Sequence, residues 1–355
     1  MTAISAPDPS DAEARIRAHF RVQAEACARM GSPFTAMLCR VLAETLDRGT
    51  ATGRRVLGWP GSEVEDVLSL RLCGALHRLV LSNAAPVLAA AYPPNAADAG
   101  TLAGAVASAL HLSDDYLEPA LDNPPQTNET ARSAMLFPGF LAIARHFGRP
   151  LRIHEIGSSA GLNLLFDRFH YRYGALEAGD PASPLKLAPE VIGAPPPLDG
   201  SLTVLARSGC DIAPVDVSDN AQRLNLRSFV WPDQTVRLER LDAAIGLARI
   251  EPCAVEKATG VDFVRRVLNA RIDDAVDVLF HSTMWQYMPS EDRREIEWML
   301  AEAGAAGDTP LAWLRMEPLD AHDLHATLSL TLWPGGETRR LARCDFHGRW
   351  IEWIG

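Results

Sequence analysis

Apolar residues recur at helical spacing through the first 150 positions, then give way to short strand-like runs separated by helices. Ile16, Phe20, Ala24 and Cys27 share one face of a helix that begins near Asp11. Ser32 and Pro33 form an N-cap and first-turn pair ahead of Phe34, Met37, Leu38, Val41, Leu42 and Leu46, a continuous apolar stripe. Ser62 to Glu65 reads as a capping box before Val67, Leu68, Leu72, Leu76 and Val80, and alanine-rich stretches at 84–91 and 102–112 extend the bundle. His77 reads as a satisfied histidine of that bundle. A last helix over Thr130–Phe147 carries Pro138 and is stopped by Gly148 and Pro150.

At Leu151 the period changes. Leu151, Ile153 and Ile156 form a strand, Gly157 and Gly161 bracket a tight turn, and Leu162, Leu165, Phe166, Phe169 and Tyr173 predict a helix directly after it. Residues 174–200, rich in Pro, Gly and Ala, read as an insertion. Strands are expected at Leu202–Leu205 with the following Gly-Cys-Asp, at Cys253–Glu256, at Val276–Phe280 and at Leu311–Met316, with a helix at Thr235–Ala248. From His325 the alternation of Leu328, Leu330 and Leu332, a Pro-Gly-Gly turn and a further run to Phe346 predict an antiparallel finish. The organisation expected is a disordered tail at 1–10, a helical domain at 11–148 and an α/β domain at 149–355.

Composition narrows the partners. The 355-residue chain carries a net charge of −11 and a pI of about 5.4, which argues against nucleic acid or an anionic membrane, since both need clustered Lys and Arg. No stretch approaches 18 apolar residues, and the N-terminus lacks the basic and apolar regions of a secretory signal. Cys27, Cys39, Cys73, Cys210, Cys253 and Cys344 are scattered without metal-site spacing and read as reduced thiols of a cytoplasmic protein. His322 and His325 lack further ligands nearby, so no metal is expected.

The turn after the first strand supports two chemistries. As Gly-x-Ser-x-Gly, residues 157–161 fit a nucleophile elbow with Ser159 as the nucleophile of an α/β hydrolase. As Glu-x-Gly-x-x-x-Gly, residues 155–161 resemble the first motif of class I S-adenosylmethionine (SAM) dependent methyltransferases. An elbow needs several strands before it, and the upstream pattern is helical, which favours the second reading. Other phrases, Gln126–Arg132 (QTNETAR), Ser208–Asp216 (SGCDIAPVD) and Val230–Ala244 (VWPDQTVRLERLDAA), together with EIGSSAGLNLLFDRF, resemble an uncharacterised bacterial family, a domain of unknown function, over roughly residues 20–320.

The methyltransferase resemblance implies a Rossmann-like sheet with antiparallel C-terminal strands behind a helical N-terminal domain. It implies SAM as cofactor, held by Glu155, Gly157, Ser158, Ser159, Gly161 and Asn163, with Asp211 preferred over Asp216 as the ribose acid. It places acceptor-side residues after the strand Val276–Phe280: His281 as base, with Trp285 and Tyr287 walling a small-molecule pocket. Glu129 is a second base candidate, as is Asp233, and Asn128 and Trp231 are candidate substrate contacts. Ala258, Thr259 and Gly260 stand where many methyltransferases carry an acidic residue near the adenine. A serine hydrolase and a non-catalytic binding or scaffold protein remain alternatives, and the apolar helical faces fit either intramolecular packing or a homodimer.

Overall fold

The computed structural model describes residues 9–307, 309–320 and 322–355. Of the tail expected at 1–10, residues 1–8 lie outside the described residues, while Pro9 and Ser10 open the first helix. The chain divides into two compact units. One comprises residues up to Thr127 together with Asp219–Glu239, and the other comprises Asn128–Ser218 with Arg240–Gly355. This differs from a cut at residue 148, because the helix before the first strand packs with the sheet and a distant segment joins the helical unit.

The helical unit contains helices at Pro9–Arg29, Pro33–Thr45, Ala51–Leu57, Leu68–Leu81, Pro86–Ala90, Ala99–Leu112 and Asp114–Ala120, joined by Asn220–Ser228. Ser32 caps the second by accepting from Thr35 N, and Phe34, Leu38, Val41 and Leu42 are buried on its inner face. The expected capping box is instead a turn: Ser62 Oγ accepts from Glu65 N, and the helix begins only at Leu68, after Val67 takes a left-handed φ of 51°. The segment from 219 to 239 is locked in by specific contacts. Asp233 accepts from Ser32 Oγ and from Phe34 N, so this expected base candidate is a helix-capping group. Phe229 packs so closely on Gly74 that a Cβ there would sit 2.5 Å from the ring. His77 bonds through Nδ1 to Ser228 O at 3.1 Å.

The second unit is built on a nine-stranded sheet and a three-stranded sheet. In chain order the strands are β1 (Leu151–Ile156), β2 (His170–Tyr173), β3 (Leu176–Gly179), β4 (Lys186–Leu187), β5 (Glu190–Ile192), β6 (Val204–Asp211), β7 (Ala254–Lys257), β8 (Val276–Ser282), β9 (Leu311–Glu317), β10 (Ala326–Trp333), β11 (Glu337–Cys344) and β12 (Trp350–Trp353). The large sheet runs β5-β12-β11-β10-β9-β8-β1-β6-β7. Strands β9, β8, β1, β6 and β7 are parallel; β10, β11 and β12 follow as an antiparallel meander, and β5 pairs parallel with β12. The result is a mixed α/β structure with a large, mostly parallel sheet and a helical N-terminal region.

The helix expected over Leu162–Tyr173 does not form. Leu162–Arg168 is a 3-10 turn broken at Leu165 (φ −94°, ψ 17°), and His170–Tyr173 is β2 of the small sheet. The reason is legible in His-Tyr-Arg-Tyr: Tyr171 and Tyr173 are fully buried while Arg172 is exposed, a period of two that the apolar spacing conceals. Both tyrosines donate to carbonyls, Tyr171 to Phe166 O and Tyr173 to Ala134 O, each at 2.6 Å. The stretch 174–200 is likewise structural, since it supplies β3 and β4 to the small sheet and β5 to the edge of the large one.

The two sheet faces have different cores. On one, Ile156, Leu279, Leu311 and Trp313 pack with Val261, Phe263 and Ile296. On the other, Phe140 from the helix Ser133–Phe147 stacks on Phe166 at 3.9 Å and meets Phe280 edge-on at 5.2 Å. Across β6, β1 and β8 runs a partly buried polar chain: Ser208 Oγ bonds His154 Nδ1 at 2.8 Å, His154 Nε2 donates to Asp277 Oδ1 at 2.9 Å, and Arg152 pairs with the same oxygen at 3.0 Å. The chain has the residue types of a hydrolytic triad. It sits mid-strand between paired neighbours, however, and its evident effect is to tie three strands together.

Two outcomes follow for stability. Asp277 is fully buried, so Asp277→Ala strands Arg152 and His154 and is expected to cost about 3–5 kcal/mol in urea unfolding. Burial lowers the His77 pKa from 6.5 to about 4. The unfolded chain therefore binds the proton first, and stability present above pH 6.5 is lost as pH falls toward 4, by on the order of 3 kcal/mol. His77→Asn is expected to flatten that dependence in pH-resolved unfolding curves.

Candidate functional site

The carboxyl end of β1 is where the polar groups gather. After Glu155 and Ile156 the backbone turns through left-handed φ values at Gly157 (69°), Ser159 (52°) and Gly161 (71°). The turn is held chiefly by the end of β6: Gly157 N and Ser158 N both donate to Cys210 O, and Ser159 N donates to Asp211 Oδ2 at 2.8 Å. Ser158 is buried and donates to Glu155 O, with its Oγ in the space a Cβ on Gly209 would need. A Cβ on Gly157 would lie 3.0 Å from Met284 Cγ, and one on Gly161 2.7 Å from Val255 Cγ2. Both glycines are thus demanded by backbone conformation and by close neighbours.

Two stretches some thirty residues apart meet here. Asn128 Oδ1 accepts from Leu162 N at 2.9 Å, Asn163 Nδ2 donates to Glu129 O at 3.4 Å, and Ser133 Oγ donates to Asn163 Oδ1 at 2.7 Å. Glu129 is buried, and its carboxylate caps the turn Thr130–Arg132 by accepting from Ala131 N. Arg132 donates to Ser282 O and Phe346 O, which brings the ends of β8 and β11 to the same place.

Glu155 stands out electrostatically. It is buried, and its Oε2 has no hydrogen-bond partner among the described residues. Burial raises its pKa well above the ordinary 4.5; nearby Arg132 opposes this rise and Asp211 adds to it. A protonated carboxyl in that position is one that a cation or a hydrogen-bond donor would convert to the carboxylate.

At the end of β8, His281 is fully buried and bonds through Nδ1 to Glu317 Oε1 at 2.7 Å. The same carboxylate oxygen accepts from Met284 N and Trp285 N. An oxygen that already accepts two amide protons accepts the imidazole proton as well, so Nδ1 is the donor. Nε2 has no partner among the described residues. The Trp285 ring stacks on His281 at 4.6 Å. His281, Trp285 and Glu317 line a cavity of about 660 Å³.

The expected site residues fall into groups. Glu155, Gly157, Ser158, Ser159, Gly161, Asn163, Asp211, Asn128 and Glu129 converge on the β1 turn, and His281 and Trp285 on the cavity. In-register pairing of Glu155 with Phe280, and of Ile156 and Leu279 in the opposite core, puts Glu155 and His281 on opposite faces of the sheet. The faces meet at the crest, where Met284 touches Gly157. Trp231 belongs to the helical unit, packed against its core, and Tyr287 is 79% exposed. Asp216 is exposed and accepts from Ser218 N. Ser159 Oγ is buried and has no hydrogen-bond partner among the described residues, a histidine included. Among the described residues, no group of three or more His, Cys, Asp or Glu is placed to hold a metal, and no helix is long and apolar enough to cross a membrane.

Sequence reasoning missed Glu317 and Arg132 as site residues. The signal for Glu317 was available: it ends a strand that neighbours the one carrying His281, and strand ends of adjacent parallel strands converge. For Arg132 no local signal exists, since its partners are carbonyls 150 and 214 positions away.

Fold and crest thus define a mixed α/β protein whose polar groups converge at the carboxyl ends of its parallel strands. The chain belongs to the family described as "Uncharacterized protein conserved in bacteria (DUF2332)", which matches residues 17–353. No curated protein and no solved structure matches it.

The buried acid offers a direct check. A carboxyl whose folded pKa is raised contributes stability below pH 4.5 that is lost as pH climbs through the folded value. Glu155→Gln is therefore expected to be more stable than the parent at pH 8, with the gap closing as pH approaches 4.5, measured by thermal unfolding across that range.

Proposed function

We propose that the chain is a SAM-dependent methyltransferase for a small-molecule acceptor, with the cofactor at the β1 turn and His281 as the acceptor-side base. The observation that carries the reading is the buried, unpartnered carboxyl oxygen of Glu155 beside a glycine turn at the centre of the parallel sheet. Strand order supports it. Taken in chain order, the parallel strands β1, β6, β7, β8 and β9 lie as third, second, first, fourth, fifth, so the winding reverses beside β1, where ligands bind in doubly wound sheets.

The residues suit such a ligand. Glu155 matches the positive charge of SAM, and the uncompensated oxygen gains a partner on binding. Asp211 spends one lone pair of each oxygen on Ser159 N and Ala213 N, leaving the second pairs for ribose hydroxyls. SAM supplies an electrophilic methyl group. Glu317 holds the His281 ring by Nδ1, leaving Nε2 to take the proton of an acceptor hydroxyl or amine. Met284 over Gly157 connects the two halves of the crest.

Isothermal titration with S-adenosylhomocysteine tests the reading. Binding at about 100 μM or tighter, roughly −5.5 kcal/mol, is expected for the parent, with at least a tenfold loss in folded Glu155→Gln by about 1.4 kcal/mol. Binding of equal strength in that variant, or none in the parent, rejects the assignment. Glycine variants are poor probes here, because Gly157→Val and Gly161→Val strain a left-handed backbone and collide with Met284 or Val255.

A further inference from the structure

The cavity beside His281 has a charge pattern that the crest does not explain. Arg293, Arg315 and Arg340 all line it, from the helix Ser290–Ala305, β9 and β11. None forms an ion pair with a described carboxylate, unlike Arg152, Arg207 and Arg266 elsewhere in the sheet unit. In a chain of net charge −11, three arginines on one cavity, none of them ion-paired, concentrate positive charge locally, with Glu297 acting on Arg315 at longer range.

Arg315 is the most constrained. Its Cζ lies 3.9 Å from the Trp313 ring centroid, and Nη2 donates to Thr331 Oγ1 at 3.0 Å. Those contacts hold the guanidinium plane while Nε is buried with no partner among the described residues. Hydroxyls of Thr327 and Ser329 add neutral donors to the same wall, and that of Thr338 bonds Thr331 Oγ1 at 2.7 Å. Two carboxylates also face the cavity. Glu317 is engaged through Oε1 by His281 and two backbone amides, while its Oε2 is buried with no partner among the described residues, and Asp320 accepts from His322 N in the exposed loop. Trp285, stacked on His281, supplies a flat side.

We propose that this cavity binds a small molecule carrying a phosphate monoester, with the phosphate on Arg315, Arg293 and Arg340 and a flat group against Trp285. A doubly charged group with three acceptor oxygens matches three guanidiniums and a row of hydroxyls better than a single carboxylate does. A fixed guanidinium plane also loses little freedom when it binds. That this molecule is the methyl acceptor rests on the reading above; that it binds does not.

The test is titration calorimetry of the full chain with phenyl phosphate, without cofactor, in a phosphate-free buffer, beside inorganic phosphate, benzoate and phenol. Saturable binding of phenyl phosphate is expected, tighter than inorganic phosphate, with no binding of phenol. Arg293→Gln combined with Arg340→Gln, at solvent-accessible positions, is expected to weaken it by about tenfold or more. Arg315→Gln should abolish it, with circular dichroism confirming the fold. No saturable binding to the folded parent up to about 5 mM, or binding unchanged in the double variant, overturns the proposal. Benzoate binding as tightly as phenyl phosphate overturns the phosphate assignment in favour of a carboxylate. None of these outcomes depends on S-adenosylhomocysteine binding, so failure here and failure of the methyltransferase reading are told apart.

Discussion

The end of a central parallel strand poses one problem: its ladder stops while its neighbours still exclude water, and every amide of the turn that follows needs another acceptor. At β1 the solution is collective. Cys210 O accepts from two amides, Asp211 from a third and Asn128 from a fourth, so the geometry of the turn is imposed by β6 and by the segment before the helix Ser133–Phe147. The left-handed residues at 157, 159 and 161 follow from that demand. Ser159 adopts a φ that costs a non-glycine residue energy because its amide and carbonyl are both bonded, to Asp211 and to Val215 N.

Against this background the groups left unsatisfied acquire meaning. Glu155 Oε2, Ser159 Oγ and His281 Nε2 are buried and unpartnered while surrounding amides are paired. Burying a polar atom without a partner costs on the order of 1–3 kcal/mol. All three lie at or just after strand ends of the sheet unit; buried polar atoms without a described partner occur elsewhere too, as at Tyr92 Oη in the helical unit, whereas the chain from Ser208 to Asp277 is bonded end to end.

The sheet also separates two electrostatic environments. Around Glu155 burial pushes the carboxyl pKa well up, with Arg132 opposing the rise and Asp211 adding to it. Around Arg315 three arginines line a cavity that also carries Glu317 and Asp320, none of the three ion-paired to a described carboxylate. One environment suits a cationic group and the other an anion. They adjoin through the loop Thr283–Met288, whose Met284 touches Gly157 and whose amides bind Glu317.

Local pattern sufficed for much of this protein. The helical N-terminal stretch, the strands at 151, 276 and 311, the antiparallel finish and the glycine turn were legible because burial on one face imposes a period, and a cap or glycine marks each end. Asn128 and Glu129 were identifiable as neighbours of the turn because the helix after them leads straight into β1. The helix expected after Gly161 failed because Tyr171 and Tyr173 are buried at period two within a window whose leucines and phenylalanines mimic a helical stripe. The segment 219–239 gave no sign of its destination. Its contacts with Ser32, Gly74 and His77 span about 150 to 200 residues, and no local period encodes a partner that distant. For the same reason the pairing of His281 with Glu317, the position of Arg132 and the gathering of Arg293, Arg315 and Arg340 were decided only in three dimensions. Charge and hydrogen-bond complementarity between distant strand ends leave no periodic trace in the chain, whereas apolar burial does.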